Sequence, residues 1–482
     1  MSVPRTDAVV VGGGPNGLAA AIVVAQAGRS VTLLEARDTL GGGCRSAELT
    51  LPGVVHDVCS AVHPLARSSP LFRRLGLERH GLQWIEPPVQ IAHPLEDGSA
   101  ALLYRDIDAT TATFSSAADA RTYAGWVAPM AHDWELIVDS LLGPIRPLAI
   151  ARHPLALARF GLPALASART LARRFRSPQA RALVAGAAAH SFLPLTAPMS
   201  GSFGLALLVS GHAVGWPIPR GGSQRIADAL ASVLRDLRGQ VQTGVRVGSL
   251  AELPPHRAAL LDLTPRQVLA LAGDHPRGLY AAQLRRYRYG PAAFKLDLVL
   301  DGPIPWRNPE VGRAGTVHVG GRLEAVLASE GAVARGRVSN RPLVILAQPS
   351  AFDPSRAPDG QHVVWAYCHV PNGWDGDATE PMLAQVERFA PSFRDRILAT
   401  HVLRPADLEA YNPNYVGGDI NGGLQSWTQF LTRPAVRLDP YSTPDPSLFI
   451  CSASTPPGGG VHGLCGMHAA RSALRGILRQ SQ

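Results

Sequence analysis

Two stretches at opposite ends of the chain predict an α/β protein. Each is a short apolar strand that breaks into glycines and runs directly into a helical pattern. The first is Ala8-Val9-Val10-Val11-Gly12-Gly13-Gly14-Pro15-Asn16-Gly17; the second runs from Leu448-Phe449-Ile450-Cys451 through Gly458-Gly459-Gly460-Val461 to a helix over residues 464–478. A third observation extends the first: Val31-Thr32-Leu33-Leu34-Glu35 reads as another buried strand, ending in an acid. Together they make a βαβ unit with Gly12, Gly14 and Gly17 in the G-x-G-x-x-G positions of a dinucleotide site.

Each element of that unit has a physical reason. Gly12 lets the strand turn tightly into the helix, and Gly14, beside Pro15 and Asn16, lets backbone approach a pyrophosphate held at the positive end of the helix. Gly17 allows close helix–strand packing, and Glu35 stands where a carboxylate accepts hydrogen bonds from a ribose 2′-OH. A second glycine cluster follows at once, in Ala36-Arg37-Asp38-Thr39-Leu40-Gly41-Gly42-Gly43-Cys44-Arg45. A plain NAD site does not need it, and Arg37 and Arg45 would add positive charge near the phosphates.

Bulk properties narrow the class. With 482 residues, 46% of them hydrophobic and 17% charged, the chain is long enough for two or three folded domains. The formal charge of +9 comes almost wholly from arginine, Lys295 being the only lysine. No basic run with interleaved aromatics accompanies it, so nucleic-acid binding is not expected. Five scattered cysteines without a C-x-x-C pair argue against disulfides, zinc or a dithiol centre. The first strand begins too early for a secretory signal, and no uninterrupted apolar run reaches membrane-spanning length. A cytoplasmic compartment is expected, with peripheral membrane contact open.

The opening G-G-G-P-N-G-L-A-A-A, the L-L-E-A-R and the L-G-G-G-C-R-S resemble the phytoene-desaturase-like FAD-dependent oxidoreductases, which share their fold with the flavin amine oxidases. The resemblance implies FAD, a discontinuous Rossmann-type FAD-binding domain, and an α+β substrate domain with a mixed sheet and a helical subdomain. It divides the chain into FAD-binding segments 1–75, 214–288 and 436–482, with substrate-domain segments 76–213 (the helical lid) and 289–435 (the sheet). It implies Gly12, Gly14, Pro15, Asn16, Gly17, Glu35, Ala36, Arg37, Gly42, Gly43 and Arg45 around the ADP half. Val245 and Val247 would meet the adenine side, and Ser454, Gly459, Gly460 and Val461 the flavin ring, with the second glycine turn stabilising negative charge there.

The remaining chain fills in the order. Residues 117–210 read as several short helices punctuated by Pro147, Pro154, Pro163 and Pro178. Residues 154–160 and 170–175 alternate apolar and basic faces, which suits a membrane surface or a helix covering a core. Ser223 is expected to cap a helix over residues 224–237, followed by strands over 241–247 and 260–264. Residues 294–301 alternate with period two, a half-buried strand, joined in one sheet by strands near 316–319, 343–348 and 362–369. Residues 412–423 form a turn-rich loop of functional character.

Candidate catalytic groups are few. His56 and His63 titrate near neutrality and are also candidates for ordinary hydrogen-bonded loop histidines. Lys295 is the lone compact ammonium, and Gly290-Pro291-Ala292-Ala293-Phe294-Lys295 resembles the amine-oxidase segment whose lysine reaches the flavin through water; a solvated face shared with Asp297 and Asp301 is the alternative. No metal-ligand motif appears. The leading function is an FAD-dependent dehydrogenase or desaturase acting on an apolar, carotenoid- or lipid-like molecule. A peroxide-producing amine-oxidase-type enzyme, a non-catalytic flavin-containing partner-binding protein and a purely NAD-binding enzyme are the alternatives.

Overall fold

The apolar run Ala8–Val11 lies at the centre of a five-stranded, all-parallel sheet in the computed structural model, which describes residues 6–143, 153–273 and 277–479. The order across the sheet is Leu448–Ile450, Ala258–Leu261, Ala8–Val11, Val31–Leu34, Gln240–Gln242. Every pair is parallel, with Ala8 opposite both Val31 and Ala258. Parallel strands are buried on both faces, which is why their sequences are near-continuous Val, Leu and Ala rather than alternating. Pro15–Gln26 and Leu464–Arg475 cross each other on one face beside Gln224–Asp236, sharing a core of Leu18, Ile22, Leu230, Leu464 and Met467.

A second sheet has seven strands, in the order Ile397–Leu403, Ala292–Leu300, His362–Val370, Val344–Ala347, Ala314–Val319, Val89–Pro94, Ala100–Leu103. It is mixed: all pairs are antiparallel except Ala314–Val319 with Val89–Pro94. One face carries Phe294, Leu296, Leu346 and Val317 against Met382, Val386 and Phe393. The other carries Ile91, Ile345, Trp365 and Tyr367 beneath helices Ala117–His132, Pro178–Ala189 and Ser200–Ala213.

Several expectations need correction. The strand Ala292–Leu300 is buried at all nine positions rather than half-buried, because both faces of the sheet are covered. Its period-two pattern separates an apolar face from one holding Lys295 and Asp297, not core from solvent. The strand expected over 241–247 is only Gln240–Gln242, since Gly244, at φ +72°, turns the chain away from the sheet. The strand expected over 260–264 is Ala258–Leu261, and Thr264 instead leads into the helix Pro265–Ala272. Ser223 precedes the helix Gln224–Asp236 but does not cap it. Its hydroxyl donates to the carbonyl of Ser60, a stronger competitor than the helix amides here. The last helix ends at Arg475 rather than at 478. The region 117–210 is broken into short helices as expected, while Pro147 lies outside the described residues.

Candidate functional site

Both glycine turns open onto one long cavity of about 590 Å³ that runs between the two sheets. The sequence folds this way because the strand ends supply close-approach glycines. Gly12 has φ +103°, and a Cβ on Gly17 would stand 1.9 Å from the Gly12 carbonyl oxygen, so only glycine lets the helix begin there. Gly12, Gly14, Pro15, Asn16, Ala36, Gly42, Gly43, Val245, Val247, Gly459, Gly460 and Val461 all line the cavity.

Other expected residues are placed differently. Glu35 lines the wall, yet its carboxylate already accepts from the amides of Gly13 (2.7 Å) and Arg37 (2.9 Å) and from the Arg45 guanidinium (3.0 Å). Arg45 also donates to the Thr39 carbonyl, and Arg37 donates to the carbonyls of Ala410 and Tyr411. Both arginines border the cavity; Arg45 engages protein acceptors through all three guanidinium nitrogens, while Arg37 does so through Nη2. Gly17 and Ser454 stand behind the wall; the Ser454 hydroxyl donates to the Gly422 carbonyl.

The candidate catalytic residues separate. His63 lines the cavity. Since the Ser223 hydroxyl gives its proton to Ser60, His63 Nε2 must donate to Ser223 (2.7 Å), and burial, against the opposing pull of Asp57, lowers its pKa to about 4. It is a neutral ring near neutral pH. His56 is 0% exposed and does not reach the cavity: Nε2 meets the Thr50 hydroxyl and Nδ1 lies 3.4 Å from Asp297. Lys295 is 2% exposed, which removes the solvated-face reading. Its ammonium is ion-paired with Asp297 and sits over the Trp365 ring, 5.8 Å from the centroid; Trp365 lines the cavity and Lys295 does not. Burial alone would raise the Asp297 carboxyl, but Lys295, with His401 and His56, holds it well below the usual carboxylate range.

Sequence reasoning missed Asp262, the residue after the strand Ala258–Leu261. Its Oδ2 accepts from the Gly17 amide (3.0 Å), placing a carboxyl at the N-terminus of the first helix. Burial, reinforced by the charge of Glu35, raises its pKa to about 7. The signal was present as an acid directly after a wholly apolar strand. The loop over 412–423 was located correctly: Asn414 bonds both the Thr264 amide and the Asp262 carbonyl, and Tyr415, Asn421 and Gly422 line the cavity.

The cavity suits an extended dinucleotide. Buried Asn16 Oδ1 and Asn421 Nδ2, on residues of its wall, have no protein partner, so an acceptor and a donor remain for a ligand. Asn421 stands beside the second glycine turn, where a Cβ on Gly459 would come within 2.9 Å of its carbonyl oxygen. The far end is lined by Phe192, Leu207, Trp216, Ile345, Trp365 and Tyr367.

Residues 10–75 match the NAD(P)-binding Rossmann-like domain family. The chain is 25% identical to the rat (Rattus norvegicus) pyridine nucleotide-disulfide oxidoreductase domain-containing protein 2, over 98% of this chain and 94% of the relative. It is 32% identical to hydroxyneurosporene desaturase of Cereibacter sphaeroides, over 52% of this chain and 51% of that one. A solved putrescine oxidase shares the fold, with a TM-score of 0.63 and 17% identity over 98% of both chains. With one glycine turn at each end of a single extended cavity and a desaturase resembling half its length, the chain is an FAD-dependent oxidoreductase similar to the phytoene-desaturase-like enzymes.

Proposed function

We propose that the chain removes hydride equivalents from an apolar small molecule, as a dehydrogenase or desaturase. The observation that carries this is the distribution of charge along the cavity. Among the described residues, the Asp, Glu, Arg and Lys side chains that line it are Glu35, Arg37, Arg45, Arg246 and Asp262, all on the dinucleotide half. The other half offers aromatic and aliphatic surface together with the Thr316 hydroxyl and His190, whose pKa burial lowers to about 3. An alkylammonium there would lose its hydration with no carboxylate to replace it, which is costly. Glu330, behind that half, is buried and engaged by His369. An apolar chain has no such cost, and this weighs against the amine-oxidase alternative.

FAD, when bound, supplies the two-electron acceptor. The protein's own part is to seat the molecule against the second glycine turn and to keep water out with Phe192, Trp216, Trp365 and Tyr367. The test is anaerobic bleaching of the flavin in the purified holoprotein. An apolar polyene or terpene in detergent micelles should bleach it and putrescine should not. Bleaching by putrescine, with peroxide released on admitting air, would overturn the reading.

A further inference from the structure

Three histidines form a buried row beside the apolar half of the cavity. His93 and His318 stand on the neighbouring strands Val89–Pro94 and Ala314–Val319, and His190 ends the helix Pro178–Ala189 that lies over them. His190 Nε2 is 3.0 Å from His318 Nε2, and His93 Nε2 is 2.7 Å from the carbonyl oxygen of Gly321. The Nδ1 atoms of His93 and His318 are both buried without a partner. Both pack against Gly186, where a Cβ would lie 2.5 Å from His318 Nδ1 and 2.6 Å from His93 Nδ1. Any side chain at 186 would collide with both rings.

This geometry favours one arrangement of the protons. A carbonyl only accepts, so His93 Nε2 carries the hydrogen and its Nδ1 presents a lone pair. No hydrogen bond joins the two Nδ1 atoms, but a hydrogen on His318 Nδ1 avoids two lone pairs confronting each other in a dry interior. His318 Nε2 is then an acceptor, which requires His190 Nε2 to donate to it. The remaining ring nitrogen, His190 Nδ1, is left as an acceptor. Doubly protonated rings are disfavoured throughout, since burial lowers all three pKa values, His93 to about 4 and His318 well below its usual range. His190 is the member of the row that lines the cavity.

We infer that His190 Nδ1 is a dedicated hydrogen-bond acceptor for the substrate, and that the substrate is an apolar molecule bearing a hydroxyl group. The inference rests on the proposed apolar reading of the cavity and adds to it one polar contact of fixed direction. A hydroxyl satisfies that contact; a pure hydrocarbon leaves the nitrogen desolvated and unpaired, and a ketone or ether brings a second acceptor. His318 is the positioning residue, because it sets the tautomer of His190 and does not line the cavity.

Two measurements test this on the holoprotein. Nitrogen-15 NMR of histidine-labelled protein, with the His190 signals assigned by their loss in His190→Phe, should show Nδ1 unprotonated and Nε2 protonated. His318→Phe, or His318→Gln if the first variant does not retain flavin, should release that preference. A protonated His190 Nδ1 in the unaltered protein would overturn the inference. Binding is then read by flavin difference spectra with farnesol and with the parent hydrocarbon farnesene. Farnesol should bind about fivefold or more tightly, and the gap should close in His190→Phe. Equal affinities would overturn the hydroxyl assignment and leave the apolar reading standing. Binding of putrescine with neither terpene would overturn the apolar reading itself.

Discussion

Gly466, in the last helix, rests directly on the carbonyl of Asn16 in the first: a Cβ at 466 would lie 1.8 Å from that oxygen. The contact joins the helices behind the two glycine turns, so it sets the spacing between the two halves of the cofactor site. Gly466→Ala is expected to destabilise the protein by about 3 kcal/mol or more, above the usual cost of overpacking because the obstacle is backbone. Flavin affinity should fall with it. Gly125→Ala is the control, since a Cβ there meets nothing within 4 Å, and it should gain about 0.5–1 kcal/mol. Urea unfolding and flavin titration of both variants check the pair.

Asp262 places a titrating carboxyl where the resemblance puts the pyrophosphate. Its folded pKa of about 7 lies above the ordinary value of 3.8. The native state therefore keeps a proton that the unfolded chain releases, and this group's contribution to stability falls as pH rises from about 4 to 7. Two adjacent negative charges repel, so FAD binding should take up a proton and weaken several-fold as pH rises from 6 to 8. In Asp262→Asn that dependence should flatten, as calorimetric titration across the range would show.

Lys295→Met separates support from catalysis. Removing the ammonium leaves Asp297 buried with only two histidines near it, and an uncompensated buried charge costs about 3–5 kcal/mol. The Lys295–Asp297 pair holds the Asp297 carboxyl low, so its stabilisation is present above pH ~4 and is lost on acidification. The variant should be less stable near neutrality and should lose less of its stability on acidification. Because Trp365 stands between Lys295 and the cavity, flavin reduction per bound FAD should be unchanged. A large fall in stopped-flow reduction rate with FAD retained would restore Lys295 as a catalytic group.

The helix Pro154–Ala164 and the residue after it carry Leu155, Leu162 and Leu165 at 64%, 70% and 60% exposure, with Arg159 also exposed. This helix packs against Ser200–Ala213, whose Phe203 and Leu207 line the apolar half of the cavity. A lipid surface would cover those leucines and bring an apolar substrate close to its cavity. Co-sedimentation with anionic vesicles should therefore be measurable. It should drop at least tenfold in Leu155→Asp/Leu162→Asp, with flavin content unchanged.

Much of this architecture was legible because it is local. Glycines at strand ends, the acid of Glu35 and the period-two strands each report on a few adjacent residues, and each was found near its expected place. What escaped depends on contacts between distant segments. Arg45 looked like a phosphate ligand because its neighbours are glycines; its bond to Glu35 depends on how the loop folds back. His93, His190 and His318 lie on three separate elements, and nothing in their spacing announces a row. A solvated face stayed open for Lys295 and Asp297 because charged residues alternating with apolar ones are usually solvated. Only the segment around His56, laid against that face of the sheet, reverses that.

The parallel sheet also has a consequence in time. Its edge strand Leu448–Ile450 and the helix Leu464–Arg475 that packs on Pro15–Gln26 are synthesised long after the first strand and helix they complete. Roughly 440 residues separate Gln26 from Leu464, about 20–90 s of translation at ~5–20 residues per second. Through that interval the first helix waits without the partner its glycines and alanines are shaped for. The nascent chain holds half a nucleotide cleft until the helix Leu464–Arg475 has emerged, so the complete cleft forms only after that helix is made.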